Sequence, residues 1–308
     1  MELGTMAGGK SRLLRKEAFE GYACIAPWLI GLVFLTLGPV VFSFLMSLTR
    51  WDMINPPRFV GLGNYVTIFS DDDRFIQSLR VTATYASLAV PLGLVISLAL
   101  AMLLNQNVRG MRVFRSIFYI PAILPGVAVA MVWIVVFRYQ GGVFNSLLAI
   151  VGVEPIKWLT STEWALRSFV IMSLWGVGGG MIIYLAGLQS VPTQLYEAAE
   201  IDGAGVWGRF RNVTLPMISP TIFFNLVMGV IGSFQVFTSS YIITGGQGGP
   251  ANATLFYVLY LYQKAFRYLQ MGYACALAWI LFAIILVLTL VILRTSAAWV
   301  YYEAELKR

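Results

Sequence analysis

The sequence predicts an all-α protein that crosses a membrane six times. Two observations carry this. First, 59% of the 308 residues are hydrophobic and only 11% charged, where an ordinary soluble domain carries about 25% charged residues. Second, the charges are gathered between long runs that contain none. Runs 21–49, 81–108, 116–137, 168–196 and 268–293 each hold 22 to 29 residues, and run 212–263 holds 52. A spanning helix needs about 20 mostly apolar residues, whereas a soluble core is built from shorter amphipathic pieces. There is also no histidine. That removes imidazole metal sites, Ser-His-Asp triads and histidine proton relays together.

Each span follows from its run. The first five shorter runs predict helices near 22–49, 81–104, 116–137, 168–188 and 270–293. The sixth run is too long for one span. Its segment 244–254, rich in Gly, Pro and Asn, is turn-forming and divides it. The part in front, from Pro220 to about 243, predicts the fifth helix in chain order. The part behind, 255–263, is aromatic and too short to cross, which predicts an interfacial position. Two further pieces are expected to be peripheral: the triplet Asp71, Asp72, Asp73 in a solvated loop, and the apolar patch 143–151 on the bundle or at the interface. Cys24 and Cys275 read as small apolar fillers.

Six spans place both termini on one side. Lys10, Arg12, Arg15 and Lys16 precede the first span, and Arg109, Arg112 and Arg115 stand in the second loop without an acid. Arg209 and Arg211 follow in the fourth loop, and Arg294, Lys307 and Arg308 in the final tail. This bias predicts cytoplasmic termini. The expected organisation is a tail at 1–20, a transmembrane unit at 21–295 and a tail at 296–308. The first apolar run is long enough to span and shows no cleavage site, so a cleavable signal is not expected. The net charge of +7 does not point to nucleic acid, because the basic residues flank spans instead of forming a patch.

Residues 4–11 satisfy the phosphate-loop pattern, ending in Gly9, Lys10 and Ser11. The pattern needs a buried strand before it and a packed helix after it. Only Met1, Glu2 and Leu3 precede it, so the segment is expected to be a disordered tail without nucleotide.

The loop at 190–216 holds more information. Ser190 can cap a first short helix, with Pro192 in its first turn. Leu195, Ala198, Ala199 and Asp202 fall at helical spacing, and Glu197 and Glu200 lie three apart. Gly203 ends that helix and reverses the chain. Residues 206–212 predict a second short helix with Val206, Trp207 and Phe210 on its apolar side, and Pro216 begins the next span. Small alanines beside a carboxylate suit close docking of another surface, with an arginine on the carboxylate. A plain connector fits the pattern as well.

Glu197-Ala198-Ala199, Gly203, and Val213 with Leu215-Pro216 are very similar to the EAA loop of bacterial ABC importer permeases. Trp51-Asp52, the segment 59–65, Gly232-Ser233-Phe234-Gln235-Val236-Phe237, Gly248-Gly249-Pro250, Asn252 with Thr254, and Tyr262 with Phe266 extend the resemblance to the sugar-type members. It covers about residues 20 to 295 and is strongest to the maltose-type first permease. One departure is the lengthened glycine loop at 245–250, where Gly246-Gln247 is extra.

The resemblance implies a type I ABC importer permease fold that is half of a pore. It implies a second homologous permease as heterodimer partner, two cytoplasmic ATPase subunits that use ATP and Mg, and an extracytoplasmic solute-binding protein. The chain would bind no cofactor or metal, perform no catalysis and sit in membrane lipid. The loop would be a coupling helix, with Glu197 on a basic residue of the ATPase, Ala198 and Ala199 at the close contact, and Asp202, Gly203, Leu215 and Pro216 shaping it. The substrate path would involve Met172, Trp175, Gly176 and Gly179 of the fourth span and Gly229, Gly232, Ser233 and Gln235 of the fifth. Helix packing is the competing role for the glycines. A sugar is the implied substrate. A polyol or glycerol phosphate is the alternative solute, and an ion-coupled carrier the alternative mechanism.

Overall fold

The first span is one long helix with a local widening. In the computed structural model, which describes residues 6–106 and 108–301 with side chains from residue 14, α1 (Met6–Gly31) runs through a π-helical stretch (Leu32–Leu37) into α2 (Gly38–Ser47). Pro39 offers no N–H to the turn before it. The Gly38 N–H reaches the Val33 carbonyl, and the helix widens instead of breaking. The tail expected to be disordered is helical from Met6, and α1 passes residue 20 without a break. Of the phosphate-loop pattern, Gly4 and Thr5 lie outside the described residues, and the backbone from Met6 to Ser11 is helix, not loop. The last seven residues of the expected carboxy-terminal tail, 302–308, also lie outside the described residues.

A two-residue antiparallel pair, β1 (Thr49–Arg50) with β2 (Arg58–Phe59), and α3 (Gly63–Ser70) follow. Next comes α4 (Asp73–Leu104), an uninterrupted α-helix of 32 residues. It begins at Asp73 and not near 81, because the Asp72 carboxylate accepts the Phe75 N–H at 3.1 Å and caps it. Its buried positions 75, 78, 82, 85, 89, 97, 101 and 104 form one stripe at helical spacing. Ala86, Ala89, Ser97 and Ala101 are small, which lets neighbouring helices approach. Accordingly α4 is the central element.

The third and fourth spans are each broken. α5 (Met111–Ile123) and α6 (Gly126–Val136) meet at 99°, and α8 (Ala165–Trp175) and α9 (Gly178–Gln189) at 44°. Pro125 is extended and starts α6, while Gly176 and Val177 form the second break. Among the described residues four helices are continuous and apolar enough to cross, and there are up to six spans if each bent pair counts as one. Between them α7 (Val143–Ile150) is the apolar patch. Asn145 pins it by accepting from the Trp158 indole at 2.9 Å and donating to the Tyr139 and Ile156 carbonyls.

After the loop elements α10 (Thr193–Ile201), α11 (Val206–Arg209), a π turn (Phe210–Thr214) and α12 (Leu215–Met217), the fifth span is α13 (Ser219–Phe234) with α14 (Thr238–Thr244). α15 (Tyr257–Tyr262), a π turn (Gln263–Arg267) and α16 (Met271–Ser296) complete the chain. α16 packs against α2. A Cβ on Gly272 would overlap the Thr49 carbonyl, so only glycine admits this approach.

The segment 255–263, expected at the interface, is buried inside the protein. Leu255, Phe256, Tyr257, Leu259 and Tyr260 are fully buried. Burial is tolerated because the polar groups are partnered. The Tyr257 N–H donates to Thr82 Oγ1 at 2.9 Å, and its hydroxyl to the Leu277 carbonyl at 2.8 Å. The Tyr260 and Tyr273 hydroxyls both donate to Asp72. Asp72 is therefore not a solvated loop residue. Lys264 Nζ lies 3.9 Å from it and over the Tyr273 ring at 4.6 Å. Burial opposes its ionisation, but the two phenols, the Phe75 N–H and Lys264 prevail and hold the carboxyl below its usual range. Its contribution to stability is present above that range and lost as pH falls through the lowered value. Asp72→Ala is expected to cost about 3 kcal/mol, read as thermal unfolding in detergent. An unchanged midpoint would show that the cluster is not structural.

Candidate functional site: a helical loop and a membrane cavity

The loop stands at one end of the bundle. α9 closes at Ser190, whose hydroxyl donates back to the Gly187 carbonyl at 2.8 Å. Ser190 thus ends α9 and does not cap α10. Pro192, extended, precedes α10. α10 terminates in a Schellman turn: Gly203 has φ +78°, its N–H donates to the Glu200 carbonyl at 3.0 Å, and the Ala204 N–H to the Ala199 carbonyl at 2.8 Å. The loop is tied to itself by an ion pair between Glu200 and Arg209 and by Tyr196 Oη against Thr214 Oγ1 at 3.0 Å. Thr214 is buried; Leu215 is exposed and Pro216 half-buried.

What remains outside is informative. Glu197 and Ala198 are exposed, Ala199 is half-buried, and Asp202 is exposed beside the turn. Glu197 has no hydrogen-bond or ion-pair partner among the described residues. Around it Ile201, Val206 and Trp207 are 87%, 78% and 70% exposed. Trp207 stacks on Phe210 at 5.3 Å. The second helix ends at Arg209, shorter than its sequence predicts, and continues as the π turn. Ile201 was not singled out by spacing. Its signal is a bulky apolar residue directly before Asp202 and Gly203.

A cavity of about 380 Å³ opens between α4, α8, α9 and α13. Of the residues expected along a path, Gly229, Gly232 and Ser233 line it, and Met172, Trp175, Gly176, Gly179 and Gln235 do not. Met172 is buried in the apolar core. Trp175, half-exposed at the end of α8, meets Trp133 edge to face at 6.0 Å. Gly176 caps α8, Gly179 faces Ala122, and Gln235 is exposed at the end of α13. The opposite wall comes from α4, with Tyr85, Gly93 and Ser97, which sequence reasoning missed. The available signal was a hydroxyl-bearing residue inside an otherwise apolar charge-free run.

The lining carries hydrogen-bonding groups and no charge. Asn225 Nδ2 donates to the Thr221 carbonyl at 3.0 Å, which leaves its Oδ1 as an acceptor. A Cβ on Gly180 would come within 3.2 Å of that Oδ1 and 3.3 Å of Ser97 Oγ, so glycine keeps this corner open. Ser233 donates to the Val230 carbonyl at 2.8 Å and Ser173 to the Val170 carbonyl at 2.7 Å, and each keeps acceptor capacity.

The family model described as binding-protein-dependent transport system inner membrane component matches residues 89–301. The chain belongs to this family. It is the membrane permease subunit of an ABC importer, and hydrolysis of ATP in such importers falls to separate subunits. It is 43% identical to "Probable ABC transporter permease protein YesP" of Bacillus subtilis strain 168, over 98% of both chains. It is 36% identical to the trehalose/maltose transport system permease protein MalF of Thermococcus litoralis, over 93% of this chain and 96% of that one. Among solved structures it resembles a bacterial ABC transporter involved in the import of the acidic polysaccharide alginate, with a TM-score of 0.81, 25% identity, and coverage of 93% and 99%. An ion-coupled carrier is thereby replaced by an ATP-driven importer, and the chain is a multi-pass inner membrane component.

Proposed function

We propose that this chain forms half of the translocation path for a sugar or oligosaccharide handed over by an external binding protein. The observation that carries the proposal is the cavity between α4, α8–α9 and α13, whose uncharged hydroxyl and amide groups match the hydroxyl edge of a saccharide. Sugar names among the relatives support it. The cavity is not fully enclosed by this chain, which suits completion by a second, homologous permease as heterodimer partner.

In this reading the termini and α10 face the cytoplasm, supported by Arg15 and Lys16 before the first span, Arg109 and Arg112 in the second loop and Arg209 and Arg211 in the fourth. α10 is the coupling helix. Glu197, unpartnered among the described residues, accepts a basic residue of an ATPase, and Ala198 and Ala199 permit the close approach. Gly203 and Asp202 set the turn, and Leu215 with Pro216 joins it to α13. Exposed Ile201, Val206 and Trp207 add an apolar contact beside the charged one. Two ATPase subunits hold ATP and Mg, and this chain holds no cofactor. Their closure pushes a rigid peg and biases a two-state gate.

The test is substrate-stimulated ATPase in the reconstituted complex, after a ligand screen on the binding protein. Asn225→Ala and Ser233→Ala are expected to reduce stimulation about tenfold, the loss of one or two hydrogen bonds to substrate. Trp175→Ala and Gln235→Ala, away from the cavity, are expected to change it less. Intact stimulation and substrate dependence in Asn225→Ala and Ser233→Ala would place the path elsewhere.

A further inference from the structure

A second concavity lies at the opposite end of the bundle from α10. It encloses about 1000 Å³ between the β1–β2 pair, the start of α4 and the start of α16. The 32 residues of α4 separate the two ends, about 48 Å at about 1.5 Å per residue. Leu104 at the far end of α4 packs with Leu188 and Val191, next to α10. With α10 on the cytoplasmic side, this cleft faces outward.

Its charges are unevenly engaged. Three carboxylates line it, and each already has donors. Asp52 accepts the Asn55 N–H at 2.7 Å and its side-chain amide at 2.6 Å. Asp71 accepts from Ser70 Oγ at 3.0 Å, and Asp72 holds the two phenols and Lys264. Arg50 and Arg58 also line the cleft. They are directly opposite each other in the β1–β2 register. Directly opposed residues point to the same face with Cβ atoms about 5 Å apart, and like charges there repel. Neither guanidinium has an ion-pair or hydrogen-bond partner among the described residues. A shared anion removes that repulsion, and two guanidinium forks suit the planar geometry of a carboxylate. Trp51 and Tyr268 stand in the same lining, and aromatic rings suit the apolar face of a sugar ring.

We propose that this cleft binds the carboxylate of an acidic saccharide, a uronate, through Arg50 and Arg58 before the saccharide enters the membrane cavity. The proposal rests on the sugar reading above and narrows it. Hydroxyl-bonding groups in the membrane cavity serve neutral and acidic saccharides alike, and the cleft is where the two differ. The structural likeness to an importer of an acidic polysaccharide points the same way.

The experiment is equilibrium binding to the purified permease–ATPase complex in lipid nanodiscs. The probes are trisaccharides of galacturonate, guluronate and mannuronate, and the same sugars with their carboxyls reduced to alcohols. At least one uronate trisaccharide should bind saturably, at least about tenfold more weakly to the Arg50→Gln/Arg58→Gln double variant, and more weakly at high salt. Arg50→Lys/Arg58→Lys should keep part of the affinity, and the reduced sugars should not distinguish the variants. Both arginines are exposed and unpaired, so the backbone pair should survive their replacement. Equal binding by wild type and the Gln double variant, or no saturable binding of any uronate, overturns the proposal. So does a double variant that weakens docking of the ligand-free binding protein but not of the uronate, because the carboxylate then belongs to that protein. If neutral saccharides alone drive uptake, only the cleft proposal fails. If no saccharide does, the sugar reading fails.

Discussion

Gly203→Val is expected to lower ATP-driven uptake by more than about tenfold while hydrolysis continues. Gly203 is the pivot between α10 and α11, with φ +78°. No side chain obstructs it, since a Cβ there meets nothing within 4 Å. The cost is purely conformational. A β-branched residue held in the left-handed region costs about 1–3 kcal/mol. The turn relieves that strain by opening, which breaks the Ala204-to-Ala199 bond and shifts Glu200 from Arg209. The peg that presents Glu197, Ala198 and Ala199 then loses its fixed angle. In the proposed coupling role, hydrolysis in partner subunits does not need that angle, but transmission to the membrane helices does. Gly203→Asn is the control, because asparagine tolerates the left-handed region; it should keep most of the uptake. Paired uptake and ATPase assays in proteoliposomes decide the matter. Normal uptake per ATP in Gly203→Val would mean that this turn does not couple.

Gly178→Ala is expected to be the most destabilising methyl addition in the 176–180 run. A Cβ there would overlap the Phe118 carbonyl oxygen and lie 3.0 Å from Tyr119 Cα. α9 rests on α5 at this point with backbone against backbone. Neither partner is a flexible side-chain end that can turn aside, so the helices must separate. Overpacking of this kind costs about 3 kcal/mol, and the separation also moves Gly180 and Asn225 at the cavity. Gly176→Ala and Gly179→Ala serve as comparisons. Their nearest neighbours are the Ser173 carbonyl at 3.5 Å and Ala122 Cβ at 3.9 Å, ordinary contacts. Thermal unfolding of the three variants should show one large loss and two small ones. Equal losses would mean that the run acts as a flexible unit and not through one contact.

These two glycines show how legible the chain is. Gly203 was readable because its role is local: a small polar helix, a glycine and a chain reversal lie within a dozen residues. Gly178 was not separable from Gly176 or Gly179, because its role depends on Phe118, far away in sequence. The same division holds for the fold. Charge-free runs located the spans, since transfer into lipid depends on composition. The breaks at Pro125 and Gly176 were not read. Pro121 lies inside α5 and Pro125 starts a new helix at 99°, so residue type alone did not decide. The segment 255–263 reads as interfacial because it is aromatic and too short to cross. Its partners are Asp72, Thr82 and Leu277 on other helices. The α4 wall of the cavity was missed for a related reason: single hydroxyls in an apolar helix carry no periodic signal of their own.

The most direct measurement is uptake into proteoliposomes that contain this chain, its second permease and the ATPase subunits. The binding protein is added outside, loaded with the saccharide it selects. Uptake should require ATP inside and the loaded binding protein outside. It should fall about tenfold with Asn225→Ala in the cavity and fail with Gly203→Val in the loop. Uptake that proceeds without ATP on an ion gradient, or that ignores both substitutions, would contradict an ATP-driven saccharide path through this chain.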